Sequence, residues 1–256
     1  MFEIIPVIDL QGGAVVHARR GARRAYKPIE TPLCDGSAPL AVVEGLLSLH
    51  AFRTLYIADL DAIAGREGHS AVLREINAAF PQLALWLDNG AADASCARAA
   101  LAGGVDALVL GSETQRDALL VAGFRDNPRV VLSLDFRGDE FQGSVELLQE
   151  PKVWPQRVIA MTLAKVGSGA GPDFARLAAV KAAAGRRAVY AAGGLRGLSD
   201  ARALAATGIA GALVATALHD GRLSRADLAV RGSNTGNFSR ISRSCSIVRF
   251  PRPSSS

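Results

Sequence analysis

The segment DNGAADASCARAALAGGVDALVLGS, residues 88–112, lies over AGGLRGLSDARALAATGIAGALVAT, residues 192–216, at a constant offset of 104. Gly90 meets Gly194, Ser95 meets Ser199, Arg98 meets Arg202 and Gly104 meets Gly208. Upstream, PVIDLQGG from Pro6 resembles LSLDFRGD from Leu132, which sets Asp9 over Asp135 at an offset of 126. Between these, LYIADL from Leu55 meets VIAMTL from Val158, which sets Asp59 over Thr162 at 103. Three offsets falling in chain order indicate an internal repeat, and the drop after the first corresponds to a longer first loop, roughly residues 11–38. Each half reads as a (βα)4 unit that cannot bury its open sheet alone.

Short apolar runs alternate with helical patterns on both sides of this repeat. Strands are expected at Glu3–Asp9, Arg53–Asp59, Leu83–Asp88, Ala107–Gly111, Arg129–Asp135, Arg157–Thr162, Ala188–Ala192 and Gly211–Ala215. Most are aliphatic throughout, as parallel strands covered on both faces should be. Helices are expected at Pro39–His50, Ser70–Ala79, Ala92–Ala102, Gln115–Gly123, Pro172–Ala184 and Ser199–Ala206, with a weaker one at Ser144–Leu148. Only Ser224–Val230 is available for an eighth. Eight strands alternating with helices in a chain of 256 residues predict an α/β fold, a (β/α)8 TIM barrel made of two repeated (βα)4 half-barrels.

The barrel is expected to occupy residues 1–230 as one domain. Residues 231–256 hold five arginines, eight serines and no acid, and read as a disordered basic tail. Without that tail the remaining 24 basic and 24 acidic side chains balance, so the net charge of +5 belongs to the tail and makes nucleic acid an unlikely partner of the barrel. Cys34, Cys96 and Cys245 lie far apart with no CxxC, against a disulfide framework or structural zinc. The longest uncharged run, Ala203–Leu218, is broken by Gly208, Gly211 and two threonines, which argues against a membrane span. With no basic leader in MFEIIPVIDL, a cytoplasmic protein is expected.

In such a barrel the chemistry belongs at the C-terminal ends of the strands. Asp9 and Asp135 end the first and fifth strands and would face each other across the mouth, each followed by what reads as a loop (LQGG, FRGD) rather than a helix. Two opposed carboxylates, one ionised and one held protonated, suit general acid–base work. The turns at Gly90 and at Gly193-Gly194 follow strands three and seven; Gly111-Ser112 and Ala215-Thr216 follow strands four and eight. Glycine turns beside short helix N-termini let backbone N–H groups approach an anion, although a single glycine pair also serves ordinary turns. Two related pairs half a barrel apart indicate two phosphate sites and a ligand phosphorylated at both ends. Arg19, Arg20, Arg23, Arg24 and Lys27 crowd the first loop, as a lid reaching phosphate or as a solvated surface. His17, His50, His69 and His219 lack metal-ligand spacing, and Trp154 reads as a core or loop anchor.

IIPVIDLQGGAVVHARRG, the AGG turn with GIAGALVATALHDGRL, and the half-barrel repeat together resemble the histidine-biosynthesis (HisA/HisF) barrel family over about residues 3–230, closest to its isomerase branch. The resemblance implies a cofactor-free, metal-free Amadori rearrangement of an aminoaldose to an aminoketose on a bis-phosphorylated nucleotide (ProFAR). It implies Asp9 as the base at C2 and Asp135 as the acid that opens the ribose, with Thr162 in the family's third catalytic position. Gly90, Gly111 and Ser112 would hold one phosphate, and Gly193, Gly194, Ala215 and Thr216 the other.

Several positions depart from that pattern. The family's three-glycine turn reads Asp88-Asn89-Gly90, its Gly-Arg after strand eight reads Ala215-Thr216, and its Thr-Asp/Glu after strand six reads Thr162-Leu163. The later aspartate of its Asp-Gly pair is Val166, and the Gly-Trp of its fifth loop is missing from DEFQGSVELL. A carboxylate beside a dianion costs affinity unless it is protonated or paired. The chain therefore also resembles isomerase paralogues associated with tetrahydromethanopterin-dependent one-carbon metabolism, which implies a different phosphorylated substrate. A non-catalytic barrel that binds a phosphorylated metabolite is a further reading.

Overall fold

Eight strands close the barrel: β1 (Glu3–Gln11), β3 (Thr54–Asp59), β4 (Ala84–Asp88), β5 (Ala107–Gly111), β6 (Val130–Arg137), β8 (Arg157–Thr162), β9 (Ala188–Ala192) and β10 (Gly211–Val214). All eight ladders are parallel, and β10 pairs with β1, so the sheet has no open seam. The computed structural model describes residues 2–18 and 25–229. The first-loop arginines at 19, 20, 23 and 24, Cys245 and the basic tail lie outside the described residues.

The helices between the strands are α1 (Pro39–Leu49), α2 (Leu60–Ile63), α3 (Ser70–Ala79), α4 (Ala94–Ala102), α5 (Leu119–Phe124), α6 (Glu146–Gln149), α7 (Phe174–Ala184), α8 (Leu198–Ala206), α9 (Thr216–His219) and α10 (Arg225–Ala229). Local chemistry sets their starts. The Asp93 and Asp173 carboxylates accept from the amides of Cys96 at 2.8 Å and Arg176 at 3.1 Å to open α4 and α7. Ser224 and Asp227 hold each other reciprocally to open α10. The helix expected from Gln115 starts instead at Leu119. Gln115 is buried and its amide donates to the Ala91 carbonyl at 3.0 Å and the Gly111 carbonyl at 3.3 Å, which pins an irregular turn after β5. No helix among the described residues is long and apolar enough to cross a membrane.

Strand register reproduces the sequence repeat. Val7 pairs with Tyr56 as Ser133 pairs with Ile159, and Tyr56 with Trp86 as Ile159 with Tyr190. Trp86 pairs with Ala107 as Tyr190 with Gly211, and Leu108 with Val130 as Ala212 with Ile4. Each pair in one half maps on its counterpart through the offsets 126, 103 and 104. Alternate residues separate two cores: Ile4 and Ile8 face the helices, whereas Ile5, Tyr56, Trp86, Val131, Ile159, Tyr190 and Leu213 fill the interior. The symmetry mates Trp86 and Tyr190 meet edge to face with centroids 5.1 Å apart, and the Arg157 guanidinium lies 4.8 Å over Trp86. Trp154 is fully buried among the helix-facing apolar residues and donates to the Leu147 carbonyl.

The stretches after Asp9 and Asp135 were expected to be loops and are β-hairpins. The short strands β2 (Ala14–Val16) and β7 (Glu140–Gln142) return antiparallel on β1 and β6. Gly12 and Gly13 at φ 58° and 79° make the first turn, a combination only glycine adopts freely and the one that matches strand twist. The second hairpin obeys the repeat: Asp9 faces Val16 as Asp135 faces Gln142.

Candidate active site

The barrel mouth holds a cavity, open to solvent, at the C-terminal ends of the strands. Asp9 and Asp135 both line it. Asp135 is 5% exposed. Its carboxylate accepts from Ser133 Oγ at 2.7 Å, Ser112 Oγ at 3.1 Å and the Glu113 amide at 3.4 Å. Burial raises its pKa to about 7, and the neighbouring Asp88 and Glu113 carboxylates push the same way against the Ser133 hydrogen bond. At neutral pH this side chain exchanges a proton readily, as a general acid must.

Two further cavity residues were not among the sequence candidates for catalysis. Tyr56 is buried, and its hydroxyl donates to Asp88 Oδ2 at 3.1 Å. Its pKa lies well above the usual tyrosine value, first from burial and then from the charges of Asp88, Asp135 and Asp9. One phenol thus sits among three carboxylates. A Cβ on Gly111 would stand 3.5 Å from Asp88 Oδ2 and 3.5 Å from Asp135 Oδ2, so these two acids crowd the same point. Asp88 stands out in the sequence as a departure from the glycine-rich pattern. Tyr56 carries no signal beyond the inward parity of its strand.

The two expected phosphate cradles differ. Gly193, Gly194, Ala215 and Thr216 line the cavity together with Lys165, Gly167, Gly169 and Arg222. Gly193 and Gly194 have φ 97° and 87°, and a Cβ on either would lie 2.5 Å from the Thr162 carbonyl oxygen or 2.3 Å from that of Gly171. Both positions therefore require glycine. Lys165 and Arg222, which sequence reasoning missed, follow strands β8 and β10 on this arc; Lys165 donates to the Pro172 carbonyl at 3.3 Å and Arg222 is ion-paired with Asp220 at 2.6 Å.

Gly90, Gly111 and Ser112 are not among the residues lining the cavity. The Gly90 amide donates to Asp88 Oδ1 at 3.1 Å, and Ile63 Cα lies 2.8 Å from where its Cβ would be. Ser112 is fully buried; its single hydroxyl proton lies between the Gln142 carbonyl at 2.7 Å and Asp135 Oδ2 at 3.1 Å, and its oxygen accepts from the Asp135 amide at 2.9 Å. Its hydroxyl orients the acid instead of facing the mouth. Thr162 ends β8 buried and likewise does not line the cavity.

A smaller side cavity adjoins Asp9 and is lined by His17, Thr216 and His219 among others. His219 is 6% exposed, and its Nδ1 meets Thr31 Oγ1 at 3.1 Å. Burial, then the neighbouring His17, lowers its pKa to about 4, so it stays neutral across the physiological range. No three His, Cys, Asp or Glu residues among those described form a metal-binding group.

The family model described as "Histidine biosynthesis protein" matches residues 3–224. An uncharacterized protein of Methanocaldococcus jannaschii is 40% identical over 75 residues, 29% of this chain and 33% of that protein. The 1-(5-phosphoribosyl)-5-((5-phosphoribosylamino)methylideneamino)imidazole-4-carboxamide isomerase of Myxococcus xanthus is 31% identical over 141 residues, 53% of this chain and 55% of the isomerase. Its counterpart in Symbiobacterium thermophilum is 30% identical over 193 residues, 68% of this chain and 75% of that enzyme. The chain thus spans a third of the archaeal protein's length and about half of the Myxococcus enzyme's.

Proposed function

This chain belongs to the histidine biosynthesis protein family, and we propose from that premise that it is an acid–base isomerase carrying out an aldose–ketose (Amadori) rearrangement on a phosphorylated ribosyl substrate. The observation that carries the reading is the pair Asp9 and Asp135 on one cavity, with Asp135 held protonated up to about pH 7 by its burial. Asp135 gives its proton to the ribose ring oxygen as the C1–O bond breaks, and the amino nitrogen forms an iminium with C1. Asp9 removes the C2 proton, and the released electron pair makes an enolamine. Loss of the C2 hydroxyl proton and protonation at C1 then yield the aminoketose. Every proton moves between substrate, solvent and these carboxylates, so the reaction needs no cofactor or metal. Ser112 and Ser133 keep Asp135 oriented, and the Gly193-Gly194 and Ala215-Thr216 turns with Lys165 and Arg222 hold phosphate. Thr162 ends β8 immediately before the turn that carries Lys165.

The test is turnover of ProFAR by the purified chain. Asp9→Asn and Asp135→Asn are each expected to lower kcat by about three orders of magnitude while the far-ultraviolet circular dichroism stays unchanged. An undiminished rate in either variant overturns the mechanism. Asp88 and Glu113 on the cavity wall support a second reading, an isomerase paralogue of one-carbon metabolism with a different phosphorylated substrate. A folded wild type that leaves ProFAR untouched would point to a changed substrate or to binding without catalysis.

A further inference from the structure

Tyr56 and Asp88 form a polar pair that the barrel itself does not need. Tyr56 pairs with Trp86 and Ala58 with Asp88, so the Tyr56 side chain starts one inward layer below Asp88. The length of its ring carries the hydroxyl up to Asp88 Oδ2 at 3.1 Å, and both residues line the cavity. Asp88 Oδ1 accepts from the Gly90 amide at 3.1 Å, so the carboxylate is held from two sides. Half a barrel away the counterparts are Ile159 and Ala192, and Ile159 is fully buried in the same interior core. An aliphatic side chain therefore satisfies the packing at this level. A buried hydroxyl against a carboxylate costs desolvation that the apolar pair avoids, and such a pair in a cleft marks a functional site.

We propose that Tyr56, backed by Asp88, receives the C2 hydroxyl of the bound sugar and takes its proton as the enolamine becomes the ketone. The proposal rests on the reading of the mouth as an isomerase site. The O2–H bond breaks as an Oη–H bond forms, and the phenol's own proton passes to Asp88 Oδ2. The electron pair left on O2 completes the C2=O bond, while C1 takes back the proton that Asp9 removed. A phenol that donates its one proton still accepts through its oxygen, so Tyr56 can hold the substrate hydroxyl before reaction. Asp9 and Asp135 have other work: Asp9 acts on the hydrogen of C2, and Asp135 on the ring oxygen, which lies beyond C1 from C2. Both Asp135 oxygens are already hydrogen-bonded, one to Ser133 and one to Ser112 and the Glu113 amide. Burial first, then Asp88, Asp135 and Asp9, hold the phenol pKa well above its usual value, so no free tyrosinate forms and the two proton moves occur together. Asp88 Oδ2 and Asp135 Oδ2 each stand 3.5 Å from the point a Cβ on Gly111 would occupy. The proton that reaches Asp88 is thus beside the acid that must be recharged.

The experiment combines ProFAR turnover with calorimetric titration of the full chain by ribose 5-phosphate and 2-deoxyribose 5-phosphate, in wild type and Tyr56→Phe. Wild type is expected to bind ribose 5-phosphate at least about five-fold more tightly, and Tyr56→Phe to bind the two alike through a loss confined to the ribose. Tyr56→Phe should lower kcat about 100-fold with KM within about three-fold. Asp88→Asn, which leaves the phenol beside a group that cannot take its proton, should lower kcat at least about ten-fold. Should Tyr56→Phe fail to fold, Tyr56→Ile, which copies the counterpart position, replaces it. The proposal is overturned by a wild type that does not prefer the ribose, by a preference unchanged in the variant, by an equal loss for both sugars, or by an undiminished kcat. A wild type that leaves ProFAR untouched yet shows the Tyr56-dependent preference overturns the isomerase reading and supports the assignment of Tyr56 to the C2 hydroxyl.

Discussion

The arc formed by β4 and β5 and the arc formed by β9 and β10 are built on one register, yet one ends in Asp88 and Glu113 and the other in paired glycines with cations close by. The strands agree because backbone pairing and inward packing admit few alternatives: Trp86 and Tyr190 must meet on the axis, and aliphatic side chains must fill the rest. Strand ends carry no such constraint. A side chain there meets ligand and solvent, so it can change sign without disturbing the barrel. A repeated fold therefore identifies where a ligand binds more firmly than it identifies which groups the ligand bears.

The largest expected effect lies at the paired turns. Gly194→Ala would set a Cβ 2.3 Å from the Gly171 oxygen at φ 87°, and Gly90→Ala would set one 2.8 Å from Ile63 Cα at φ 68°. Both force backbone to move, and each should cost about 3 kcal/mol in urea unfolding, Gly194→Ala the more. Their effects on inorganic phosphate should diverge. Affinity is expected to fall at least ten-fold in Gly194→Ala and to stay unchanged in Gly90→Ala, as titration will reveal. Equal losses in both would erase the distinction between the arcs.

A second prediction concerns the two aspartates. Asp135 has Asp88 and Glu113 nearby, while the counterparts of those acids near Asp9 are Ala192 and Ala217. Since the pKa of Asp135 in the native state, about 7, lies above the ordinary 3.8, the native state holds this proton more tightly than the unfolded chain does. The resulting stability is complete below about pH 4 and is lost as pH rises through 7. Asp135→Asn stays neutral, so it should be more stable than wild type at pH 8 by roughly 2 kcal/mol and no more stable at pH 4. Asp88→Asn should shift the carboxyl titration of Asp135 downward in carbon-13 NMR. A wild type whose stability is flat between pH 4 and 8 would mean that Asp135 ionises like any exposed aspartate.

How much of this was legible in the sequence follows from what each feature depends on. The eight strands, the half-barrel repeat, and Asp9 with Asp135 on one rim are local or periodic signals, and the structure carries all of them. The hairpins were hidden because a three-residue strand such as Ala14–Val16 is too short to display a period, and a glycine pair reads equally well as a loop. Gln115 reads as a good helix former, yet its amide serves the carbonyls of Ala91 and Gly111 from a distant turn. Ser112 looked like a phosphate donor because composition does not say which way a hydroxyl points. The tie between Tyr56 and Asp88 spans 32 residues and depends on the pairing of β3 with β4.

The smallest expected effect separates the two hairpins that frame the mouth. In the first, Asp61 Oδ2 accepts from the Gly12 amide at 2.8 Å and His69 Nε2 accepts from the Gly13 amide at 3.0 Å. Because Nε2 accepts, the ring proton is on Nδ1, where it is donated to Asp59 Oδ1 at 2.9 Å. In the second hairpin, Arg176 donates to the Gly138 carbonyl at 2.8 Å and lies 4.4 Å over Phe136. The first attachment runs through the buried Asp59 and orients the strand that carries Asp9, with the imidazole side chain 9% exposed; the second, with the Arg176 side chain 13% exposed, ends on exposed backbone. Removing His69 leaves Asp59, itself buried, short of a donor, so His69→Ala should cost about 1–2 kcal/mol and Arg176→Ala less than about 1. Amide hydrogen exchange at Gly12 and Gly13 should speed up in His69→Ala alone. Equal exchange at the two turns in both variants would show that the hairpins are held by their strands, with neither side chain acting as the anchor.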